Sequence, residues 1–374
     1  MPCNSPNKVF YIGWNNETGK RKILFTSRNA DFVYRRSPHD RWIVAYRQNG
    51  LSAATFARRG YQVISDGDLV PCGQCLGCRL DYAREWSARI MAEKKNYSDD
   101  LSWFITLTYD DSHLPKPRMI PDKVDEETGE VITFKPSPFS SVDKKVHQKF
   151  MKRVRKKFQP KVGVPIKYFC SGEYGSLSGR CHYHYIIFGL KLDDLQLVKN
   201  NRLGDSIYTS AELQSCWTDD KHIPLGFVGI GSVTTDSAGY CARYAIKKRK
   251  VVDVDTYAKL GIDPEFICMS TKPALGKRYF EDNLDKIYKT DEIIMQGRDA
   301  AFVTKPPKYC DTLLDRVDPE KLEMIKQKRK ANAKSHDDFI AEYLPFMEKE
   351  EIYKTRERKL NKNTKILMRR DFDG

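Results

Sequence analysis

Residues 180–189 read RCHYHYIIFG, and the reading of this stretch governs the rest of the chain. Aromatic and β-branched residues dominate it and a glycine ends it, which is the composition of a strand. On a strand, side chains at i and i+2 share a face, so His182 and His184 point one way and Tyr183 the other. Two imidazoles on one face make half of a metal site, because neutral histidine is a common ligand. Glu173 stands just before the turn that leads into this strand, and a hairpin there folds it back beside the histidines as an oxygen donor. An isolated HxH is otherwise the polar face of a sheet. The apolar run after His184 and the acid at Glu173 favour the metal. Imidazoles alone suit zinc or another transition metal. Two histidines and a carboxylate with open positions also suit Mg²⁺ or Mn²⁺, with water and phosphate oxygens completing the shell.

The flanking segments build a sheet around this strand. Trp103 to Tyr109 (WFITLTY) is a strand ended by turn residues from Asp110 to Pro117, and Met119 to Phe134 reads as an exposed hairpin around EETGE. Ser140 and Ser141 are placed to cap a basic helix in which Val146, Phe150, Val154 and Phe158 recur every four residues. Ile166–Ser171 is a second strand and His182–Gly189 a third. After a polar, helical connection, Gly226–Val233 is a fourth, and Asp236–Lys250 is a helix with Ser237 near its start. The order β-α-β-β-α-β-α predicts an α+β fold, an antiparallel ferredoxin-like sheet flanked by helices. The chain divides into three expected parts. Residues 1–100 are a Cys-rich region that begins irregularly and turns helical, with Leu80, Ala83, Trp86, Ile90 and Met91 on one face. Residues 101–250 form the core, and 251–374 a basic, mostly helical extension carrying KQKRK at 326–330.

In SAGYCARYAIKKRK (237–250), Tyr240 and Tyr244 lie one helical turn apart on the same face, and Lys247 and Lys248 return to it a turn later. Alone, this is an amphipathic helix with packed tyrosines and solvated lysines. After a strand bearing HxH it points to chemistry. A phenol with a pKa near 10 is a poor nucleophile unless lysines stabilise its anion or a cation polarises the phosphorus. Two tyrosines on one face would allow two successive transesterifications of a phosphodiester without its release.

The 65 Lys+Arg against 50 Asp+Glu give a formal charge of +15, which fits a polyanionic partner. Arg153, Arg155, Lys156 and Lys157 in RVRKKFQPK are candidate phosphate contacts, with a solvated charged face as the plainer reading. No apolar run approaches the roughly 20 residues a bilayer span needs. The first twenty residues lack a basic start followed by an apolar stretch, so neither membrane insertion nor secretion is expected. Ten cysteines in such a chain read as thiols or metal ligands rather than disulfides. Cys72, Cys75 and Cys78 form CxxCxxC on a tight loop, and Cys3 is the candidate fourth ligand of a structural Zn²⁺. The spacing also suits iron–sulfur ligation, but no other feature indicates redox chemistry. Cys170, Cys181, Cys216, Cys241, Cys268 and Cys310 read as ordinary buried thiols, and Asp110, Asp111 and His113 as turn or surface residues. No GxxxxGK[ST] is present.

FITLTYDDSHLP, then HYH, then YCARYAIKK resemble the three motifs of the HUH replication initiators. More narrowly, PCGQCLGCRLDYAREWSARIMAE, GEYGSLSGRCHYHYIIFG, GYCARYAIKK, EFICMSTKPALGKRYFED and PPKYCDTLL resemble the replication initiation proteins of gokushovirus-like microviruses over most of residues 1–330. The resemblance implies a metal-dependent endonuclease and strand transferase of rolling-circle replication. Such an enzyme nicks single-stranded origin DNA, joins its 5′ phosphate to a tyrosine, frees a 3′ hydroxyl and later reseals the strand. It matches His182 and His184 to the metal-binding histidines, Tyr240 and Tyr244 to the nucleophiles, Lys247 and Lys248 to the lysines that follow, and Glu173 to the third ligand. It also implies Mg²⁺ or Mn²⁺, a host helicase and DNA polymerase as partners, and the cytoplasm of a bacterial host. Two positions depart from the pattern: Tyr183 replaces an aliphatic residue between the histidines, and Thr271-Lys272 replaces a basic pair. First attack is assigned to Tyr240, which heads its motif. The neighbouring readings are an HUH transposase or relaxase, and a zinc-bearing DNA-binding protein without catalysis.

Overall fold

The computed structural model describes residues 3–19, 21–46, 52–175, 178–201, 204–247, 254–298, 300–343 and 349–368. The chain forms two compact units, Met1–Cys78 with Asp337–Leu367, and Arg79–His336 with Met368–Gly374.

The second unit is an antiparallel seven-stranded sheet flanked by helices. Its strand order is Gln196–Asn200, Ser206–Thr209, Gly226–Ser232, Ser102–Tyr109, Cys181–Phe188, Lys167–Tyr174, Phe266–Met269. The four strands expected from sequence occupy four adjacent central places. The histidine strand, Cys181–Phe188, is buried at all eight positions because both its faces are covered. One face takes Ile105, Leu107, Tyr183, Tyr185 and Ile187, packed on Phe150, Val154 and Phe158 of the basic helix Lys144–Val162. That helix turns every fourth residue toward the sheet, as the spacing required. Truncating Phe150 or Phe158 to alanine would cost about 3–5 kcal/mol in lost burial and cavity. The opposite face carries Phe104, Ile186 and Phe188 against Ile90 of the helix Leu76–Lys94 and Ala238, Tyr240 and Cys241 of the helix Thr235–Lys247. Strand alternation thus sorts the histidines onto this second face and Tyr183 onto the first.

Several local readings are corrected. The basic helix is capped by Asp143, whose Oδ1 accepts from the Lys145 amide at 2.7 Å, and not by Ser140 or Ser141. Ser141 Oγ instead accepts from the Asp263 amide at 2.9 Å. The segment after the histidine strand is a hairpin, Gln196–Asn200 with Ser206–Thr209, followed by only one helical turn, Ala211–Gln214. Its exposed Leu197 and Val198 sit among polar residues, so no apolar alternation marks it. Phe266–Met269 adds an edge strand that four residues are too few to announce. The N-terminal start is likewise ordered, as two three-stranded sheets. One is Arg21–Thr26, Asn7–Trp14 and Gly67–Val70, and the other Ile43–Tyr46, Ala30–Arg35 and Gln62–Ile64. These strands are short and leave Trp14, Phe25 and Ile43 exposed, which blurs the pattern. The hairpin near EETGE is present as Met119–Val124 with Val131–Pro136.

Candidate metal centre and tyrosine helix

The adjacent strands Lys167–Tyr174 and Cys181–Phe188 assemble the first cluster by register. Glu173 lies directly opposite His182, and His184 lies opposite Ser171 on one side and Thr106 on the other. Glu173 is therefore a cross-strand neighbour of one histidine and a diagonal neighbour of the other. Glu173 Oε1 is 3.2 Å from His182 Nε2 and 2.6 Å from His184 Nε2. Glu173 is wholly buried, and the two histidines nearly so.

Hydrogen bonds made by the other ring nitrogens fix what these atoms offer. His182 Nδ1 lies 3.1 Å from the Arg180 carbonyl, which only accepts, so Nδ1 carries the proton and Nε2 presents a lone pair. His184 Nδ1 is 3.0 Å from Thr106 Oγ1, a hydroxyl able to accept from it and so leave Nε2 as a lone pair. Two lone pairs facing one carboxylate repel unless protons or a cation lie among them. Two imidazolium rings with centroids 4.9 Å apart would repel each other. One divalent cation satisfies all three donors, and ligands about 2.1 Å from a shared ion at right angles stand about 3 Å apart, as found. Burial pushes the Glu173 carboxyl up. Positive charge at the two histidines, carried by protons or by a cation among the three donors, outweighs this, so the net shift is below the usual carboxylate range. A metal-ready carboxylate is ionised, which fits.

The helix Thr235–Lys247 brings its first tyrosine to this cluster. Its start is fixed reciprocally: Ser237 Oγ accepts from the Thr234 amide at 2.9 Å, and Thr234 Oγ1 accepts from the Ser237 amide at 3.1 Å. Tyr240 is fully buried, its ring perpendicular to His184 with centroids 4.9 Å apart at 89°, while Phe104 stacks on His184 at 5.5 Å and meets Tyr240 edge-on at 6.2 Å. The Arg243 guanidinium lies 5.5 Å from the Tyr240 centroid. Tyr244 and Lys247 belong to the same helix, but their side chains, and Lys248 entirely, lie outside the described residues.

A groove of about 750 Å³ opens onto the cluster, bordered by Thr106, Thr108, His184, Phe227 and the hairpin strand Ser206–Thr209. Thr106 and Thr108 belong to the site and went unremarked in sequence, although the alternation of FITLTY already put them on one face with Phe104. The basic-helix residues are elsewhere. Their helix covers the sheet face opposite the histidines. Arg153 donates to the carbonyls of Thr218 and Asp219, at 2.7 and 3.0 Å, and Lys157 to the Glu212 carbonyl and Ser215 Oγ. Arg155 sits 5.3 Å from the Tyr168 ring, and Lys156 is exposed. Asp110 holds a turn, accepting from Ser112 and from the His113 amide, and Asp111 pairs with Arg180.

Cys3, Cys72, Cys75 and Cys78 make the second cluster, with their sulfurs within 4.8 Å of one another, in the N-terminal unit. The remaining six cysteines are free and buried, or half-buried for Cys268.

An antiparallel sheet bearing a buried His-x-His and an acid, with a tyrosine helix laid against it, gathers three donors that could hold a cation beside a phenol. A family model described as replication-associated protein ORF2/G2P matches residues 102–249, from the first central strand through the tyrosine helix. The replication-associated protein ORF2 of Spiroplasma virus 4 is 36% identical over 71% of this chain and 75% of its own. Replication-associated protein VP4 of Bdellovibrio phage phiMH2K is 29% identical over 74% and 79%, and ORF4 of Chlamydia phage 1 is 25% identical over 71% and 58%. The chain belongs to the replication-associated proteins of microviruses, a family of replication initiators. No solved structure matches it. No helix among the described residues is long and apolar enough to cross a membrane.

Proposed function

We propose that this chain starts rolling-circle replication by nicking single-stranded origin DNA with a tyrosine. The phenol oxygen attacks phosphorus, the bond from phosphorus to the 3′ oxygen breaks, and that oxygen leaves with a proton as the 3′ hydroxyl. The 5′ phosphate stays on the tyrosine, conserving bond energy for resealing by the reverse attack. The observation that carries this reading is the contact of the Tyr240 ring with His184, a member of the buried donor set.

His182, His184 and Glu173 would hold Mg²⁺ or Mn²⁺, which supplies charge neutralisation at the scissile phosphate. Thr106 and the Arg180 carbonyl keep the imidazoles oriented for that task. Tyr240 and Tyr244 serve as the nucleophile pair, with Lys247 and Lys248, three and four positions further along the sequence, to stabilise phenolate or phosphate charge. Because Tyr240 is fully buried, a phosphate reaches it only when its helix shifts on the sheet. Unwinding and synthesis would fall to a host helicase and polymerase in the bacterial cytoplasm, since the sequence has no P-loop.

The test is incubation of the full-length protein with labelled single-stranded DNA spanning the viral origin, with Mn²⁺ or Mg²⁺, followed by denaturing electrophoresis. A protein-linked 5′ product and a free 3′ hydroxyl fragment are expected, both absent in excess chelator. Cleavage unaffected by chelator would remove the metal from the account. No adduct on any origin strand would leave a DNA-binding protein without catalysis.

A further inference from the structure

The four sulfurs of the N-terminal unit have the spacing of a single tetrahedral ion. Zinc–thiolate bonds of about 2.3 Å at tetrahedral angles put sulfurs about 3.8 Å apart. Cys3 Sγ lies 3.7 Å from Cys72 Sγ and 3.8 Å from Cys75 Sγ, and Cys78 completes a set within 4.8 Å. A disulfide needs about 2.05 Å, and all four are free thiols. A cluster of several irons would need its thiolates spread farther apart than this.

Backbone amides point at the sulfurs. The Asn4 amide donates to Cys75 Sγ at 3.3 Å, and the Cys72 amide to Cys3 Sγ at 3.3 Å. Cys72 Sγ accepts from the amides of Gln74 and Cys75 at 3.4 and 3.2 Å. Donors to sulfur favour the charged thiolate over the thiol. Gly73, at φ 74°, occupies the left-handed region that lets the loop turn its amides inward. Cys78 lies in the first turn of the helix Leu76–Lys94, which holds its sulfur against the loop.

The unit also needs a tie. Among the described residues its hydrophobic cluster is built on buried Phe10, Ala30 and Val33 with half-buried Ile12, Leu24, Trp42, Val44 and Ile64. Val9 and Phe32 are also buried, and cores this small commonly rely on metals or disulfides. The cysteines sit where a clamp would act. Cys3 precedes the strand Asn7–Trp14, and Cys72 follows its partner Gly67–Val70, with Asn7 opposite Val70. An ion here closes a loop between residues 69 positions apart, next to the pairing it locks.

We propose that Cys3, Cys72, Cys75 and Cys78 bind one structural Zn²⁺ through four thiolates, in a closed site separate from the His-His-Glu cluster. The full-length protein, purified without chelator, is expected to contain about one zinc per chain by elemental analysis. A His184→Ala, Glu173→Gln double variant should keep that zinc, so failure of the nicking account and of this one are distinguishable. Cys75→Ser with Cys78→Ser should lose it, and Cys216→Ser, a buried thiol outside the cluster, should not. Where the cysteine variant does not fold, exchange of the wild-type ion for Co²⁺ decides. Intense sulfur-to-cobalt charge transfer with strong tetrahedral bands supports the site. A folded wild-type protein with no metal and four cluster thiols open to a thiol reagent would overturn it. Stoichiometric iron in place of zinc, or zinc retained without Cys75 and Cys78, would overturn it equally.

Discussion

The two side-chain clusters of this protein differ in almost every respect that matters to a metal. Glu173, His182 and His184 are three mixed donors held by the register of a wide, well-packed sheet. Cys3, Cys72, Cys75 and Cys78 are four like donors gathered by a turn and two short strands around a small core. Three donors leave coordination positions for water and phosphate, whereas four sulfurs close a tetrahedral shell. The sheet would stand without an ion, and on the proposed function an ion there would act on phosphate. In the N-terminal unit the ion would be part of the fold. The lesson is that core size around a cluster, together with donor number, separates a working site from a clamp.

The comparison breaks first if the three-donor cluster is dispensable. Glu173→Gln keeps the shape but removes the charge, and nicking at limiting Mn²⁺ should fall by about 10²-fold or more, with zinc content and thermal midpoint almost unchanged. Equal nicking by the variant in a metal titration would count against the ligand assignment. In the same unit, Glu93 is buried and pairs with Lys167 at 2.8 Å while also accepting from the Gly276 amide. Glu93→Ala strands a buried ammonium, so urea unfolding should show a loss of about 3–5 kcal/mol. A loss under 1 kcal/mol would mean this part of the sheet is less well packed than it looks.

Acid should distinguish the units. His147 is buried under the sheet with Nδ1 2.9 Å from the Tyr185 hydroxyl. Burial, aided by the nearby Arg155 charge, lowers its pKa from 6.5 to about 4. A depressed histidine stays neutral in the fold while the unfolded chain takes up a proton. Its contribution is therefore intact above pH 6.5 and is lost as pH falls toward 4, by roughly 3 kcal/mol in all. Urea midpoints followed across this window should fall in wild type and stay flatter in His147→Gln. Parallel slopes would reject the assignment. The smallest effect is expected from Arg153→Ala, whose donors serve the carbonyls of Thr218 and Asp219 on the face away from the histidines. It should cost about 1 kcal/mol in stability and change affinity for single-stranded DNA less than twofold, measured by fluorescence anisotropy.

What could be read in the sequence was whatever carried strict periodicity. The i, i+2 histidines, the every-fourth apolar residues of the basic helix and the β-branched central strands all answer to buried faces, and burial enforces pattern. Glu173 was legible because a hairpin leaves it few places to go. The Gln196–Thr209 hairpin was not, since its outer residues meet solvent and no face selects them. Asp143 took the cap that Ser141 was placed to provide, because Ser141 is used by the Asp263 amide 122 positions away. Thr106 could be put on the right face, but its bond to His184 depends on the register between strands 78 positions apart.

The central claim is tested most directly by mapping the covalent bond. The wild-type adduct on origin single-stranded DNA, made with Mn²⁺ and trimmed by nuclease, is digested and its nucleotide-bearing peptide sequenced by mass spectrometry. The nucleotide should sit on Tyr240 or Tyr244, and Tyr240→Phe with Tyr244→Phe should yield none. A nucleotide on any other residue, or an adduct that survives the double substitution, would contradict the account.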